Sequence, residues 1–188
     1  MDLHKYSSDP TSFKSDDLNF LDSIDFFKHE KWSISPSQFG YDVCILDSVH
    51  LNDDKKERLD KIYLEMAKVW SKNSKCKRAQ VGCIMVKDKS IISDGYNGSP
   101  TGFPNECEDE ENNTKAWVLH AEANAITKLS KSTLSSDGAT LYVTLSPCFE
   151  CSKLIIQSGI KRVVFTELYR KTDSIPFLLQ GGIEVIKL

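Results

Sequence analysis

The chain has 188 residues, 40% of them hydrophobic and 27% charged, with a formal net charge of −3. That length accommodates one domain and an appendage rather than two domains, and the composition is that of a globular chain. No apolar run approaches the roughly 20 residues of a membrane span, and no clustered basic stripe offers a nucleic-acid footprint, so neither partner is expected. The first residues, MDLHKYSSDPTSFKSDD, lack the apolar core of a signal peptide, and a cytoplasmic location is expected.

Charge is unevenly placed along the chain. Residues 1–55 hold 11 acidic and 5 basic side chains, whereas residues 56–188 hold 16 and 19. A mildly basic second part suits a small anionic ligand such as a phosphate. Residues 1–52 read as an N-terminal extension in which Ser, Asp and Pro surround an amphipathic stretch at Phe20, Leu21, Ile24, Phe26 and Phe27. A second apolar patch runs Val43-Cys44-Ile45-Leu46. With no phosphate loop, repeat or metal-ligand spacing, the extension is expected to be an arm that packs on the core or on a neighbouring subunit.

The domain proper, residues 53–188, opens with a helix predicted from Asp53 to about Ser71. Leu59, Ile62, Tyr63, Met66, Ala67 and Trp70 recur there at helical spacing, and Asn52 or Asp53 can cap it. AQVGCIMV and SIISDGY, joined by Lys87-Asp88-Lys89, read as an antiparallel hairpin. Gly95 to Lys115 reads as loop, with Glu108-Asp109-Glu110-Glu111 a solvated run. HAEANAITKLSK is predicted helical, ATLYVTL a strand, and PCFECSKLIIQSG a helix with Pro147 in its first turn. KRVVFTE is a strand, a short helix falls around Ile175–Leu179, and IEVIKL is a last strand. That order argues for an α/β domain with a mixed sheet between helix layers.

Two short strings carry the chemistry. Cys148 and Cys151 lie three apart at the start of a helix, so both thiols project from the same side of its first turn. The positive end of the helix dipole there favours thiolate, the form that binds zinc. A CxxC by itself also fits a redox motif or half of a structural site. His120, at the start of its own helix, adds a nitrogen ligand, and Glu122 follows two residues later. The combined pattern H-x-E…P-C-x-x-C is the established signature of zinc-dependent nucleobase deaminases. Three protein ligands leave a tetrahedral zinc one open position for water. Glu122, beside the metal but not bound to it, is the candidate for moving protons.

HAEANAI, YVTLSPCFECSKLIIQSGIKRVVF and GYNGSP together resemble the deoxycytidylate (dCMP) deaminases of the cytidine-deaminase-like superfamily, over roughly residues 55–188. GYNGSP is the string that points to the dCMP branch. The resemblance implies a three-layer α/β/α cytidine-deaminase-like fold with a central five-stranded mixed sheet. It implies hydrolysis of dCMP to dUMP and ammonia, supplying thymidylate synthesis. By the same resemblance zinc sits on His120, Cys148 and Cys151, and Glu122 transfers protons. The Ala121 backbone N–H would hold the pyrimidine carbonyl, Asn97 the deoxyribose, and the Ser146 carbonyl the departing amino group. Tyr169 and Arg170 would close over base and phosphate, with Arg78 a second phosphate candidate.

Some relatives of this type carry a second, structural zinc. Cys76 and Cys107 sit at corresponding places, but residues 108–119 contain neither His nor Cys, so no complete second site is expected. The resemblance further implies a homo-oligomer, in hexameric form, activated by dCTP and inhibited by dTTP, with Mg2+ accompanying a nucleoside triphosphate effector. Two other readings stay open. One is a deaminase of dCTP or deoxycytidine; the other is a non-catalytic, zinc-stabilised nucleotide-binding protein.

Overall fold

Strict alternation along the central strands decides how the layers are built. Cys83 and Met85 face one side of the sheet while Ile84 and Val86 face the other; Leu141 and Val143 oppose Tyr142, and Val163 and Phe165 oppose Val164. A sheet apolar on both faces must be covered on both. In the structure, a computed structural model describing residues 30–37, 40–46 and 54–188 (side chains from residue 55 onward), this is what happens. The stretch Phe20–Phe27 lies outside the described residues.

The elements are β1 (Glu30–Ser37), β2 (Gly40–Leu46), α1 (Asp54–Ser71), β3 (Gly82–Lys87), β4 (Ser90–Tyr96), α2 (Ala121–Leu129), β5 (Thr140–Leu145), α3 (Phe149–Gln157), β6 (Arg162–Glu167), α4 (Ser174–Gln180) and β7 (Glu184–Lys187). The expected five-stranded mixed sheet is present in the order β7-β6-β5-β3-β4. Strands β5, β6 and β7 run parallel, and β3 is antiparallel to both β4 and β5. The hairpin β1–β2 extends this sheet beyond β7 by antiparallel pairing of Glu30–Trp32 with Val185–Lys187. The patch Val43–Leu46 therefore forms part of an added edge strand.

Helix α1 covers one face, packing Leu64 and Ala67 against Ile84, Val86, Tyr142, Val164 and Ile186. Helices α2, α3 and α4 cover the other through Ala125, Leu129, Ile155, Ile175 and Leu178. A buried ionic cluster fixes α1 in place. Arg162 donates to Asp60 Oδ1 at 2.8 Å, Tyr142 donates its hydroxyl to the same oxygen at 2.7 Å, and Glu184 pairs with Arg162 Nε at 3.1 Å. Breaking such a pair by deleting one partner leaves an uncompensated buried charge. Burial, then the Asp60 carboxylate, pushes the Tyr142 phenol above its ordinary range.

Two element boundaries differ from the sequence reading. Lys87 pairs with Ser90, so the hairpin turn is Asp88-Lys89 alone, both at positive φ (50° and 64°), as a two-residue primed turn requires. Strand β3 begins at Gly82 rather than Ala79, because the Asn97 side chain takes the hydrogen bonds of residues 79 and 81.

Candidate active site

The site lies at the carboxyl ends of β5 and β6, where parallel strands hand over to loops and helices. Cys148 caps α3 in an extended conformation (φ −77°, ψ 169°), and His120 caps α2 in the same way (φ −72°, ψ 158°). Neither side chain caps its own helix, which leaves both to face each other. Pro147 thus precedes the cap rather than standing inside the first turn. Cys151 follows within the first turn of α3 and is buried.

The His120 Nδ1 lies 3.3 Å from Cys148 Sγ and 3.4 Å from Cys151 Sγ. All three donor atoms fall within 4.8 Å of one another, and among the described residues they form the one group able to hold a metal ion. Ligands of a tetrahedral zinc with ordinary Zn–S and Zn–N bonds stand about 3.5 Å apart. The donor set and its spacing therefore fit zinc. The hydrogen bond from Cys151, and next to it that from His120, hold the Cys148 thiol well below the ordinary thiol range. That shared hydrogen bond pushes Cys151 the opposite way, and the bond to Cys148 raises His120 above the usual imidazole range.

Glu122, in the first turn of α2, is 4% exposed. Burial raises its carboxyl above the ordinary range. Beneath it the buried Cys83 thiol, pushed well up by burial and then by the Glu122 charge, donates to Ala121 O at 3.1 Å. Helix α2 reaches this position because Gly95 of β4 has no side chain. A Cβ there would stand 2.1 Å from Ala121 O and 2.8 Å from Ala125 N. Of the two glycines flanking Tyr96-Asn97, Gly95 permits a close approach, whereas Gly98 meets nothing nearer than 3.9 Å.

A cavity of about 600 Å³ opens above these groups, with His120, Glu122 and Cys148 at its floor and Arg78 and Arg170 among its walls. Asn97, Ala121, Ser146 and Tyr169 also line it, so every site residue read from the sequence faces this cavity or its metal corner. Ala121 opens α2, and its N–H, in the first helical turn, has no intrahelical acceptor. Asn97 is less free than the sequence implies. Its Oδ1 accepts the Val81 N–H at 2.8 Å and its Nδ2 donates to Ala79 O at 2.9 Å, leaving one amide hydrogen and one Oδ1 lone pair. Ser146 continues the β5–β6 pairing into the loop: its N–H donates to Glu167 O and its Oγ accepts the Tyr169 N–H, each at 2.7 Å. Arg170 stacks 5.6 Å from the Tyr169 ring.

The walls also contain residues that sequence reasoning missed. Glu108 is not simply solvated; its Oε1 accepts the backbone N–H groups of Lys77 and Arg78 at 2.9 and 3.2 Å. Thr114 accepts Arg78 Nη1 at 3.3 Å. Cys76 and Cys107, weighed above as remnants of a second zinc site, are joined as a disulfide with Cα atoms 5.0 Å apart. Their separation of 31 residues left no local signal of the pairing.

With this geometry in view, the relatives are informative. A family model described as the cytidine and deoxycytidylate deaminase zinc-binding region matches residues 57–167. The chain belongs to this family. A probable deoxycytidylate deaminase of Caenorhabditis elegans is 41% identical over 133 residues, covering 63% of this chain; the chain spans 66% of that protein, just under two thirds. The deoxycytidylate deaminase of Mycobacterium phage D29 is 38% identical over 120 residues, 56% of this chain and 92% of its own. A crystal structure of the dCMP deaminase of cyanophage S-TIM5, with dCMP and dUMP bound, superposes with a TM-score of 0.68 at 46% identity, covering 74% of this chain and all of that one. The resemblance to dCMP deaminases and the cytidine-deaminase-like fold read from the sequence both hold.

Proposed function

We propose that the protein hydrolyses dCMP to dUMP and ammonia. The observation that carries this reading is the placement of a His-Cys-Cys metal corner and the buried Glu122 on the floor of a cavity walled by two guanidinium groups. The cyanophage relative crystallised with dCMP and dUMP supports the choice of substrate.

His120, Cys148 and Cys151 would hold the zinc. Bound there, the metal supplies the Lewis acidity that brings the pKa of water to roughly 7. Glu122 takes one proton from the attacking water and passes it to the neighbouring ring nitrogen as C4 is attacked; it then takes the C4 hydroxyl proton and gives it to the amino group, so that the C4–N bond breaks, the C4 carbonyl forms and ammonia leaves. Burial suits a carboxyl that must hold a proton in mid-reaction. The Ala121 N–H holds the pyrimidine carbonyl, the Ser146 carbonyl accepts from the amino group, and the remaining Asn97 amide hydrogen meets the deoxyribose. Arg78 and Arg170 bind the 5′-phosphate, and Tyr169 covers the base.

The same reading includes supply of dUMP to thymidylate synthesis, activation by dCTP with Mg2+, inhibition by dTTP, and hexameric assembly. Exposed apolar side chains along α1 and the edge strand β4 support assembly: Ile62, Val69 and Ile91 are 48%, 60% and 45% exposed. Residues 30–37 and 40–46, within the 1–52 extension, lengthen the sheet at its opposite edge, which supports reading that extension as an arm packed on the core. No described helix is long and apolar enough to cross a membrane. Incubating the zinc-loaded protein with dCMP, dCTP and deoxycytidine in parallel tests the reading. It predicts dUMP release fastest from dCMP; a zinc-loaded protein inert toward dCMP, with and without dCTP, contradicts it.

A further inference from the structure

Within the acidic run Glu108–Glu111, Glu108 alone lines the cavity, which is an odd place for a carboxylate if the ligand is a phosphate. A like charge there costs binding energy unless it does something else. Its Oε1 receives two consecutive backbone N–H groups, from Lys77 at 2.9 Å and Arg78 at 3.2 Å. Consecutive amides converging on one oxygen form a small anion nest, and filling it fixes the main chain that makes it.

The rest of the loop is built to hold that carboxylate still. Cys107 is tied to Cys76, one residue before the nest. Glu108 pairs in a short antiparallel bridge with Thr114, and Lys115 N–H donates to Cys107 O at 2.8 Å. The Asp109 Oδ1 accepts the N–H groups of Glu111 and Asn113 at 3.0 and 2.7 Å, which closes the tip. Thr114 then accepts Arg78 Nη1 at 3.3 Å. Arg78 is thus held at both ends by one bridged pair: its main chain by Glu108, its guanidinium by Thr114. One of its five N–H donors is used, and four remain.

We propose that Glu108 is a positioning residue for phosphate recognition, fixing the Lys77–Arg78 backbone so that the Arg78 guanidinium meets the substrate's 5′-phosphate. This rests on the reading of the cavity as a dCMP site. Glu108 touches no reacting atom, so its effect runs through Arg78.

Steady-state kinetics on Glu108→Ala, Glu108→Gln, Arg78→Ala and the double variant Glu108→Ala/Arg78→Ala, with dCMP and deoxycytidine, tests this. Glu108→Ala is expected to raise KM for dCMP on the order of tenfold, the size of one lost hydrogen bond to a charged group, with a much smaller change in kcat and in KM for deoxycytidine. Glu108→Gln keeps the acceptor oxygen and removes the charge, so its KM for dCMP should be at or below the wild-type value. In the Arg78→Ala background the Glu108→Ala effect should nearly vanish, because coupled residues are not additive. Should Glu108→Ala fail to fold, Thr114→Val carries the same test from the exposed end, with KM raised several-fold in the wild-type background and not in Arg78→Ala. A flat KM in Glu108→Ala, or equal effects with and without Arg78, overturns the proposal while the dCMP reading stands. A wild-type protein inert toward dCMP overturns both.

Discussion

The floor and the rim of the cavity are built by different physics. The floor is made where two helix N-termini meet the sheet: His120 and Cys148 are caps, Cys151 and Glu122 lie in first turns, and Gly95 lets α2 press on β4. Its positions follow from backbone packing. The rim is made by the 74–81, 106–115 and 168–171 loops, held by side chains that bond to distant backbone: Glu108 to residues 77 and 78, Asn97 to 79 and 81, Ser146 to 169. On the proposed reading, a packed floor gives the accuracy that bond-making needs, whereas a rim whose exposed cations sit on loops, Arg78 held by Glu108 and Thr114 and Arg170 beside the Tyr169 ring, gives recognition that can be altered without losing the chemistry.

The strongest way to break this contrast is at Glu122. Glu122→Gln should lower kcat by about 10³- to 10⁴-fold while the protein keeps its zinc, read by metal analysis alongside turnover. An active variant would remove Glu122 from the proton path. Gly95→Ala is a step further from the chemistry. Its new Cβ must displace the Ala121 carbonyl, and a shift of about 1 Å in α2 should cost kcat about 100-fold with KM for dCMP less affected. A fall in KM-related binding without a fall in kcat would mean that α2 does not set the reacting geometry.

At the rim, Arg170→Ala should raise KM for dCMP about 10- to 100-fold, as expected for one lost charged contact. Deoxycytidine, which has no phosphate, should be nearly indifferent to it. The smallest expected effect is of salt: raising ionic strength from about 0.05 to 0.5 M should raise KM for dCMP several-fold and leave kcat alone, since exposed cations are screened and the buried Glu122 is not. Equal salt sensitivity of both constants would erase the distinction.

The same division explains what the sequence discloses. The layers were legible because the order of helices and strands is local and the family strings imply the three-layer sheet, and the floor was legible because HAE and PCFEC are contiguous strings whose residues take up helix caps and first turns. The rim was legible only as single residues, Arg78, Asn97 and Arg170, without their supports. Glu108 looked like one more solvated acid because the amides it holds are 30 and 31 residues away. Cys76 and Cys107 looked like metal-ligand remnants for the same reason. Asn97 carried a sugar-binding expectation, and nothing local showed that its amide was already bonded to residues 79 and 81, just ahead of β3. The added hairpin β1–β2 had no turn signal or alternation strong enough to mark it.

The most direct test of this division of labour is the ratio of kcat/KM for dCMP to that for deoxycytidine, in the wild type and in Arg78→Ala/Arg170→Ala. The account predicts that the ratio falls by about two orders of magnitude or more while kcat at saturating dCMP falls by less than about tenfold. An unchanged ratio, or a kcat that falls as far as kcat/KM, would contradict it.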